Sequence, residues 1–390
     1  MNRLHNTDVI QLAEQQADPS ISIYLPTTSA PDQQDENRIR LKNLVAEGLK
    51  TLVEEHGWRR VAAEEIMAPT QRLIANGRFW LATNAPGLAI FLTADKQTLY
   101  RLPIPFAERV LVSDRFYLKP LLPLLARNGR FYILALSLGN IQLFEATQYG
   151  IGELSLSEEV PRNIDEALQW DDPEKQLQWH TSTDSGADRP AAFHGHGATG
   201  EETKKEDILR YCHKVAAALK PILQEDDAPL ILAALDHLVS IYLQANNYKH
   251  MLEQTIQIDP QSLSIKELHQ RAWQEVIQPY FAQKQAQAAD SLNDLVDTER
   301  TAVDLAEIVQ AAHQGQIDTL FIAKDQEKWG SFDAATHQVT IHDHPATGLY
   351  DLVDLAAVQT LRQGGAVFVV EKQAVPQQQI MAAKLRYPGY

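Results

Sequence analysis

The fold is decided by an apolar run that reads Phe131-Tyr132-Ile133-Leu134-Ala135-Leu136. Six consecutive apolar residues are typical of a strand that is buried on both faces of a sheet. Gly139-Asn140 predicts a tight turn into a second strand at 141–146, and 150–152 predict a turn into a third strand at 153–156. This meander is followed by a helix at 201–223 and a strand at 230–235, which predicts an α/β domain with a mixed sheet.

Strands and helices alternate on both sides of this central segment as well. The predicted N-terminal elements are helices at 8–16, 39–53 and 62–76 and strands at 21–25, 79–83, 88–93 and 108–112. The predicted C-terminal elements are helices at 303–313 and 350–361, strands at 319–323 and 366–370, and a hairpin at 329–333 and 339–342. We therefore predict the α/β class, with three consecutive domains at residues 1–126, 127–285 and 286–390.

Composition excludes several classes of protein. The chain of 390 residues is 44% hydrophobic and carries a net charge of −16, which is typical of a globular protein and argues against indiscriminate binding to duplex nucleic acid. A single cysteine, Cys212, excludes a disulfide framework within the chain. No apolar run approaches the roughly 20 residues of a membrane-spanning helix, and the first residues lack a secretion signal. We therefore expect a soluble, cytoplasmic protein.

The negative charge is unevenly spread along the chain. Residues 1–126 hold 14 cationic and 14 anionic side chains, whereas the other two predicted domains are both acidic. Within the first domain, a relatively basic run supplies candidate RNA contacts, namely Arg38, Arg40, Lys42, Arg59 and Arg60. The alternative is a solvated helix face on which these cations are interleaved with glutamates.

A long loop at 169–201 in the middle domain lacks hydrophobic periodicity. Loops of this length inside a compact domain are usually functional or disordered. It contains His194-Gly195-His196-Gly197, which could be a recognition tip, part of a metal site with His180, Asp188 or Glu201, the source of a general base, or a plain flexible loop.

No established motif supports the interpretation of this loop as a metal site or as the source of a general base. The chain has no His-Glu-x-x-His or paired-cysteine spacing and no nucleotide-binding or nucleophile-elbow motif. The sequence therefore predicts no metal and no cofactor, and it favours a protein that is not an enzyme.

Several phrases resemble a known family. Residues 21–26, 131–146, 318–323 and 352–365 resemble the archaeo-eukaryotic class-one peptide release factors. Residues 193–197, 235–238 and 245–248 resemble more closely the bacterial relatives of those factors, and the resemblance spans almost the entire chain. The resemblance implies that the first domain corresponds to the decoding domain. It also implies that the middle domain is RNase H-like, with its loop extending toward the peptidyl-transferase centre. The last domain would be a small α/β sandwich resembling kink-turn-binding ribosomal proteins.

This sequence departs from the release factors at two motifs. It has no Gly-Gly-Gln, and the corresponding loop carries His194–Gly197 instead. The Asn-Ile-Lys-Ser motif is also absent, where residues 37–40 read Asn-Arg-Ile-Arg. We therefore expect a ribosome-interacting protein of translation stress, rescue or hibernation that does not hydrolyse peptidyl-tRNA, with ribosomal RNA and tRNA as partners. The alternatives are a hydrolase using His194 and His196, with or without a metal, and a stress-response scaffold that binds protein.

Overall fold

The computed structural model describes residues 4, 6–28, 34–81, 85–125, 129–169, 199–224, 227–296 and 298–388. The chain forms two compact units. The first comprises residues 1–130, 147–150 and 279–390, and the second comprises residues 131–146 and 151–278. The division into three domains stays a prediction.

The first unit begins with a four-stranded antiparallel sheet. Its elements are α1 (Asn6–Glu14), β1 (Gln16–Pro26), α2 (Gln34–Glu54), α3 (Arg60–Ala75), α4 (Gly77–Leu81), β2 (Gly87–Leu92), β3 (Gln97–Leu102), β4 (Arg109–Arg115), a 3-10 turn (Lys119–Leu121) and α5 (Leu122–Leu125). The strand order is β3-β2-β1-β4. Strand β1 is central and mostly buried, since α2 and α3 pack on the face that carries Ile21 and Ile23, whereas Tyr24 faces a second apolar cluster.

The strand predicted at 79–83 is wrong for residues 79–81, which belong to the short helix α4. The helix forms because Trp80 packs into the core and its indole Nε1 donates a hydrogen bond to the Leu73 carbonyl at 3.0 Å. The Asn76 side chain accepts a hydrogen bond from the Phe79 amide at 3.3 Å, which satisfies one free donor at the start of the helix. Burial of one aromatic ring therefore outweighs the strand propensity of the segment.

The second unit contains a five-stranded sheet. Its elements are β5 (Arg130–Leu136), β6 (Ile141–Thr147), β7 (Gly150–Leu154), α6 (Ile164–Gln169), α7 (Thr199–Leu223), β8 (Leu230–Ala234), α8 (Asp236–Ala245), β9 (Ile256–Gln257), a 3-10 turn (Pro260–Ser262), α9 (Ile265–Arg271) and a π-helical turn (Ala272–Ile277); α10 (Gln278–Asn293) begins as this unit ends. The strand order is β7-β6-β5-β8-β9.

This sheet is mixed, as the sequence predicts. Strand β5 is parallel to β8, and β8 is parallel to β9. The turn between β5 and β6 is too short for a parallel crossover, so that pair is antiparallel. Helices α7 and α8 cover one face, with Tyr211 and Tyr242 fully buried against the side chains of β5. The predicted buried position of Cys212 is confirmed, and burial raises the pKa of its thiol to about 12.

The chain then returns to the first unit. Its elements there are β10 (Thr301–Ala302), α11 (Leu305–His313), β11 (Ile317–Ala323), β12 (Trp329–Asp333), β13 (Gln338–His342), β14 (Tyr350–Asp351), α12 (Leu352–Arg362), β15 (Ala366–Val370), 3-10 turns (Lys372–Ala374 and Pro376–Gln378) and β16 (Met381–Leu385). They form a four-stranded sheet in the order β10-β16-β11-β15 and a three-stranded sheet in the order β13-β12-β14. The predicted hairpin is β12 with β13.

One apolar cluster joins the N-terminal and C-terminal parts of the first unit. It contains Tyr24 and Phe91 of the first sheet, Leu320 of β11, and Val353 and Ala356 of α12, all of them buried. Strands and helices are therefore combined in both units, and the predicted α/β class is confirmed. None of the helices in the described ranges combines the length and the apolar character needed to cross a bilayer.

Candidate functional site

Three of the five predicted RNA contacts lie on helix α2. Arg38 is half-buried, and its Nε donates a hydrogen bond to the Ile74 carbonyl of α3 at 3.1 Å. The same guanidinium lies 3.3 Å from the Asp35 carboxylate, one turn earlier. Since one edge of the side chain ties α2 to α3, Arg38 has a structural role whether or not it also contacts RNA.

Arg40 lies between two carboxylates. Its guanidinium is 3.4 Å from Glu36 on the same helix and 3.2 Å from Glu108 just before β4. Surface ion pairs of this kind stabilise a protein by only about 0–1 kcal/mol, and both can be exchanged for a phosphate. The charge of Arg40 is nevertheless balanced within the protein, so it is a weaker candidate than an unpaired cation.

Lys42 and Arg59 are the exposed cations of this set that have no partner among the described residues. Arg59 occupies the N-cap of α3 and Arg60 the position after it. A cation at a helix N-terminus faces the positive end of the helix dipole, which costs about 0.3–1 kcal/mol. Arg60 is balanced by Glu64 at 2.9 Å, whereas Arg59 is not. The stability of α3 therefore does not account for Arg59.

Helices α2 and α3 together have no excess of positive charge. Helix α2 carries four cationic and four anionic side chains, and many of them are paired along the helix. The solvated-face interpretation therefore describes most of this surface. Among the five predicted RNA contacts, Lys42 and Arg59 are the two without a partner in the described residues, so they are the ones free to contact a phosphate backbone. The predicted RNA contacts stay a proposal.

A second group of charged residues, which the sequence analysis missed, is buried in the first unit. Lys119 is 4% exposed and lies 3.4 Å from Asp351, which begins α12. The Lys119 ammonium also donates to the Gln326 carbonyl. Asp351 accepts hydrogen bonds from the Lys328 and Val353 amides, each at 3.0 Å, and so caps α12. Burial raises the pKa of Asp351, while Lys119 and the two amides act in the opposite direction.

Asp354 follows one turn further along α12. Both of its carboxylate oxygens lie 3.2 Å from the Leu118 amide, and the residue is 6% exposed. Burial raises the pKa of Asp354 to about 8, with the nearby Asp351 carboxylate as the second cause. Asp354 therefore holds its proton near neutral pH.

A third set of contacts links Arg109, Tyr117 and Glu327. Arg109 donates to the Glu327 carboxylate, and the Tyr117 hydroxyl donates to the same oxygen at 3.1 Å. Burial opposes the ionisation of Glu327, but the hydrogen bond and the charge of Arg109 outweigh it and lower the pKa of this carboxyl. Together with Lys119, Asp351 and Asp354 these residues form the buried charge cluster.

The sequence contains only a weak signal of the buried charge cluster. Asp354 interrupts an otherwise apolar run from 352 to 358, and Asp351 stands at the N-cap position before it. Helix periodicity alone places one of these carboxyls near the core face. The partners of these two carboxyls in the N-terminal part, Leu118 and Lys119, are more than 200 residues away in the chain, and no local pattern identifies them.

The predicted tip, His194, Gly195, His196 and Gly197, lies outside the described residues, as does most of the loop at 169–201. Among the residues that the structure describes, no group of three or more His, Cys, Asp or Glu side chains is placed to hold a metal ion.

Comparison with known families gives a match that covers the centre of the chain. Residues 131–279 match the family model of the bacterial archaeo-eukaryotic release factor family 7. The predicted resemblance to the bacterial relatives of release factors is thereby confirmed for this part of the chain. Among curated proteins there is no significant match.

The solved structures that match the chain include proteins from archaea and yeast. An archaeal translation termination factor is 12% identical with a TM-score of 0.23, and the match covers 98% of this chain and 99% of that one. Dom34 of S. cerevisiae, described as a translation termination-like factor, is 14% identical with a TM-score of 0.39, covering 75% and 74%. Pelota of Archaeoglobus fulgidus is 13% identical with a TM-score of 0.26, covering 78% and 81%. Similarities of this size do not assign an activity to the chain.

Proposed function

We propose that this protein binds the ribosome as a release-factor-like protein and acts in translation stress, rescue or hibernation without hydrolysing peptidyl-tRNA. The observation that carries the proposal is the match of residues 131–279 to a bacterial release-factor family. The lack of Gly-Gly-Gln in the sequence supports the absence of peptidyl-tRNA hydrolysis, since peptide release requires hydrogen-bond donors fixed beside the scissile ester.

Two of the exposed cations of the first unit support the choice of RNA as a partner. Lys42 and Arg59 are exposed, and Arg59 lies at a helix N-terminus where its charge does not favour folding. Phosphate contacts from such side chains supply affinity without reading sequence. On this proposal they contact ribosomal RNA, while the His194–Gly197 tip enters a cavity of tRNA size.

Sedimentation through a sucrose gradient tests the proposal directly. We expect the protein to move with ribosomes in lysates of starved cells. The double variant Lys42→Glu, Arg59→Glu weakens this association, and the dependence of log affinity on log salt becomes shallower by roughly one per lost phosphate contact. A matched control, Lys266→Glu with Lys372→Glu, makes the same charge change at two exposed lysines elsewhere and leaves sedimentation unchanged. Wild-type protein that stays at the top of the gradient in both growing and starved cells contradicts the proposal.

An assay of peptide release from stalled ribosomes tests the second part of the proposal, that the protein does not hydrolyse peptidyl-tRNA. We expect release at the level of buffer alone. Release above that level that is lost in the His194→Ala, His196→Ala variant would instead establish the hydrolase alternative. Recovery of a protein partner from starved cells without ribosomes would favour the scaffold.

A further inference from the structure

Strand β13 forms an open edge of the three-stranded sheet in the first unit. The sheet order is β13-β12-β14, so β13 is paired on one side, and its five residue pairs with β12 run from Trp329–His342 to Asp333–Gln338 without a register shift. Four of the five residues of β13 are exposed. By contrast, β3, β4, β7 and β15, which end the larger sheets, are half-buried or buried along most of their length.

The outer backbone groups of β13 have no partner in the described part of the chain. In an antiparallel pair, every second residue points both its N–H and its C=O away from the neighbouring strand. The Thr340 carbonyl oxygen lies close to Gly330 of β12, so the groups of Val339 and Ile341 are the ones that point outward. The nearest hydrogen bond runs from the Gln310 side chain to the His337 carbonyl at 2.7 Å, before the strand begins. Such unpaired groups are a template for another strand.

The edge also lacks the features that commonly prevent strand pairing. Exposed edges are usually protected by lysine, by proline or by a bulge, and β13 contains none of these. Apolar and polar residues alternate along it, so Val339 and Ile341 share one face. Val339 packs against the apolar cluster of the first unit, whereas Ile341 is 47% exposed. The apolar face therefore extends beyond the part that the protein itself covers.

The sequence of this edge is complementary to itself in one antiparallel register. If a twofold axis passes through Thr340, Val339 of each copy faces Ile341 of the other, and apolar residues directly opposite each other stabilise a sheet. An axis through Val339 would place Ile341 opposite His337, and an axis through Ile341 would place Val339 opposite Asp343. Only the register about Thr340 matches apolar with apolar residues.

The residues at the two ends of the strand fit the same register. Gln338 faces His342 of the other copy, and just beyond the strand His337 faces Asp343. An imidazole N–H can donate a hydrogen bond to a carboxylate whether the ring is neutral or charged. The pairing therefore brings a donor to an acceptor at each end and places no like charges opposite each other.

We propose that two copies of this protein form a homodimer by pairing their β13 strands about Thr340, which joins two three-stranded sheets into one of six strands. Val339 and Ile341 exchange main-chain hydrogen bonds with their counterparts, and their side chains form one apolar patch. A contact of this size is typical of transient complexes, so the dimer is reversible and depends on concentration. The inference stands on the first unit alone and does not depend on binding to the ribosome.

Sedimentation velocity of the full-length protein, from low micromolar to several hundred micromolar concentration, tests the proposal. Physiological salt screens the repulsion between two copies of charge −16 beyond about 8 Å. We expect the mean sedimentation coefficient to rise from that of a monomer toward that of a dimer. A monomer over the whole range overturns the proposal and leaves the edge to a strand of a different protein.

A charge at the apolar face locates the contact. Ile341→Lys places an ammonium group in the apolar patch, and we expect it to weaken association by about tenfold or more. Ile39→Lys makes the same change at an isoleucine on α2 that is 57% exposed and leaves association unchanged. Equal association of wild type and folded Ile341→Lys contradicts the proposal.

Cross-linking through an introduced cysteine determines the register. In the proposed dimer, cysteines from Thr340→Cys face each other with Cβ atoms about 4.5–5.5 Å apart, close enough for a disulfide after a small adjustment. Cysteines from Gln338→Cys lie about 14 Å apart, four residues along the strand. The native Cys212 is buried and does not compete. We expect Thr340→Cys to form a covalent dimer about tenfold faster or more, and equal rates would show random collision instead.

An exchange of charges tests the ends of the strand. His337→Asp places two carboxylates opposite each other at each end, and we expect it to weaken association several-fold; aspartate tolerates the left-handed backbone of this position, where φ is 57°. The double variant His337→Asp, Asp343→His restores a pair of imidazole and carboxylate and should recover the affinity. A double variant as weak as His337→Asp alone would show that the two residues do not meet and that the register is wrong.

Discussion

The Lys119 ammonium lies 3.4 Å from the Asp351 carboxylate, and both side chains are almost entirely excluded from solvent. Lys119 follows the last strand of the N-terminal sheet, and Asp351 begins α12. A buried charge that loses its partner is costly, so each residue fixes the position of the other. This ion pair therefore couples the two sequence-distant parts of the first unit, alongside the apolar cluster that they share.

Removing the carboxylate of this pair should destabilise the protein strongly. We expect Asp351→Ala to lower the free energy of unfolding by about 3–5 kcal/mol, because it leaves Lys119 buried and unpaired and uncaps α12. Asp304→Ala is the control, since Asp304 caps α11 in the same way but is exposed, and its loss costs about 1 kcal/mol. Urea unfolding followed by circular dichroism measures both. Equal losses of unfolding free energy in the two variants would show that the helix cap, and not the ion pair with Lys119, accounts for the effect of Asp351.

The raised pKa of Asp354 predicts a stability that depends on pH. The folded protein holds this proton up to about pH 8, whereas the unfolded chain releases it near its ordinary pKa of 3.8. Between these values the folded state binds more protons, so stability falls as pH rises, by at most about 1.4 kcal/mol per unit.

Asp354→Asn removes this dependence because its side chain does not titrate. Its oxygen still accepts from the Leu118 amide, so the structural contact is kept. We expect the variant to match the wild type near pH 4 and to become increasingly more stable than it up to about pH 8. Thermal unfolding across this range measures the difference. A constant difference between the two proteins would show that Asp354 does not titrate as proposed.

The hydroxyl of Tyr24 donates a hydrogen bond of 2.5 Å to the Tyr117 carbonyl inside the first unit. Tyr24→Phe deprives this buried acceptor of its partner, and we expect a loss of about 1–3 kcal/mol in the free energy of unfolding. Tyr149→Phe removes the same hydroxyl from a residue that is 48% exposed and should change stability by less than about 0.5 kcal/mol. Chemical denaturation of the two variants side by side gives the comparison.

Two glycines provide a contrast in packing. A Cβ at Gly330 would meet the Thr340 carbonyl oxygen at 2.2 Å and a Leu352 methyl group at 2.6 Å, whereas a Cβ at Gly77 would meet nothing within 4 Å. We expect Gly330→Ala to destabilise the protein by about 1–3 kcal/mol through overpacking. Gly77→Ala should be neutral or stabilising by up to about 1 kcal/mol, because it restricts the unfolded chain. Melting temperatures measured by calorimetry separate the two.

Elements with a strong local pattern could be predicted from the sequence. The strand at 366–370 and the hairpin of β12 and β13 lie where β-branched residues and turn signals place them. The capping box of Ser264 and Glu267 forms as its spacing indicates. In each of these cases the information lies within a few consecutive residues, so no distant contact is needed to fix the structure.

Strand β16 could not be predicted in this way. Its sequence, Met381–Leu385, is rich in residues that favour helices, yet it lies between β10 and β11 in its sheet. Its conformation comes from hydrogen bonds to β10 and β11 and from burial of Met381 and Ala383. Neighbouring strands therefore override the propensity of the segment.

The candidate site residues show the same difference between local patterns and contacts with distant residues. The cations of a helix can be identified from the sequence, and Lys42 and Arg59 are exposed as a solvated helix face requires. The hydrogen bond from Arg38 to α3 could not be predicted, because its acceptor is 36 residues away in the chain. The Asp354 carboxyl group accepts a hydrogen bond from the Leu118 amide, which is 236 residues away in the chain. Only the tertiary structure brings these two residues together.

The position of β16 has a consequence for biosynthesis. Because this inner strand follows the whole second unit in the chain, the sheet that contains it stays incomplete until the second unit has been synthesised. The N-terminal sheet meanwhile presents Phe91 and its neighbours without α12 to cover them. Exposed apolar surface of this kind is what chaperones bind. The nascent first unit must therefore wait through synthesis of the entire second unit, and protection of its uncovered face during that interval is a requirement of this topology.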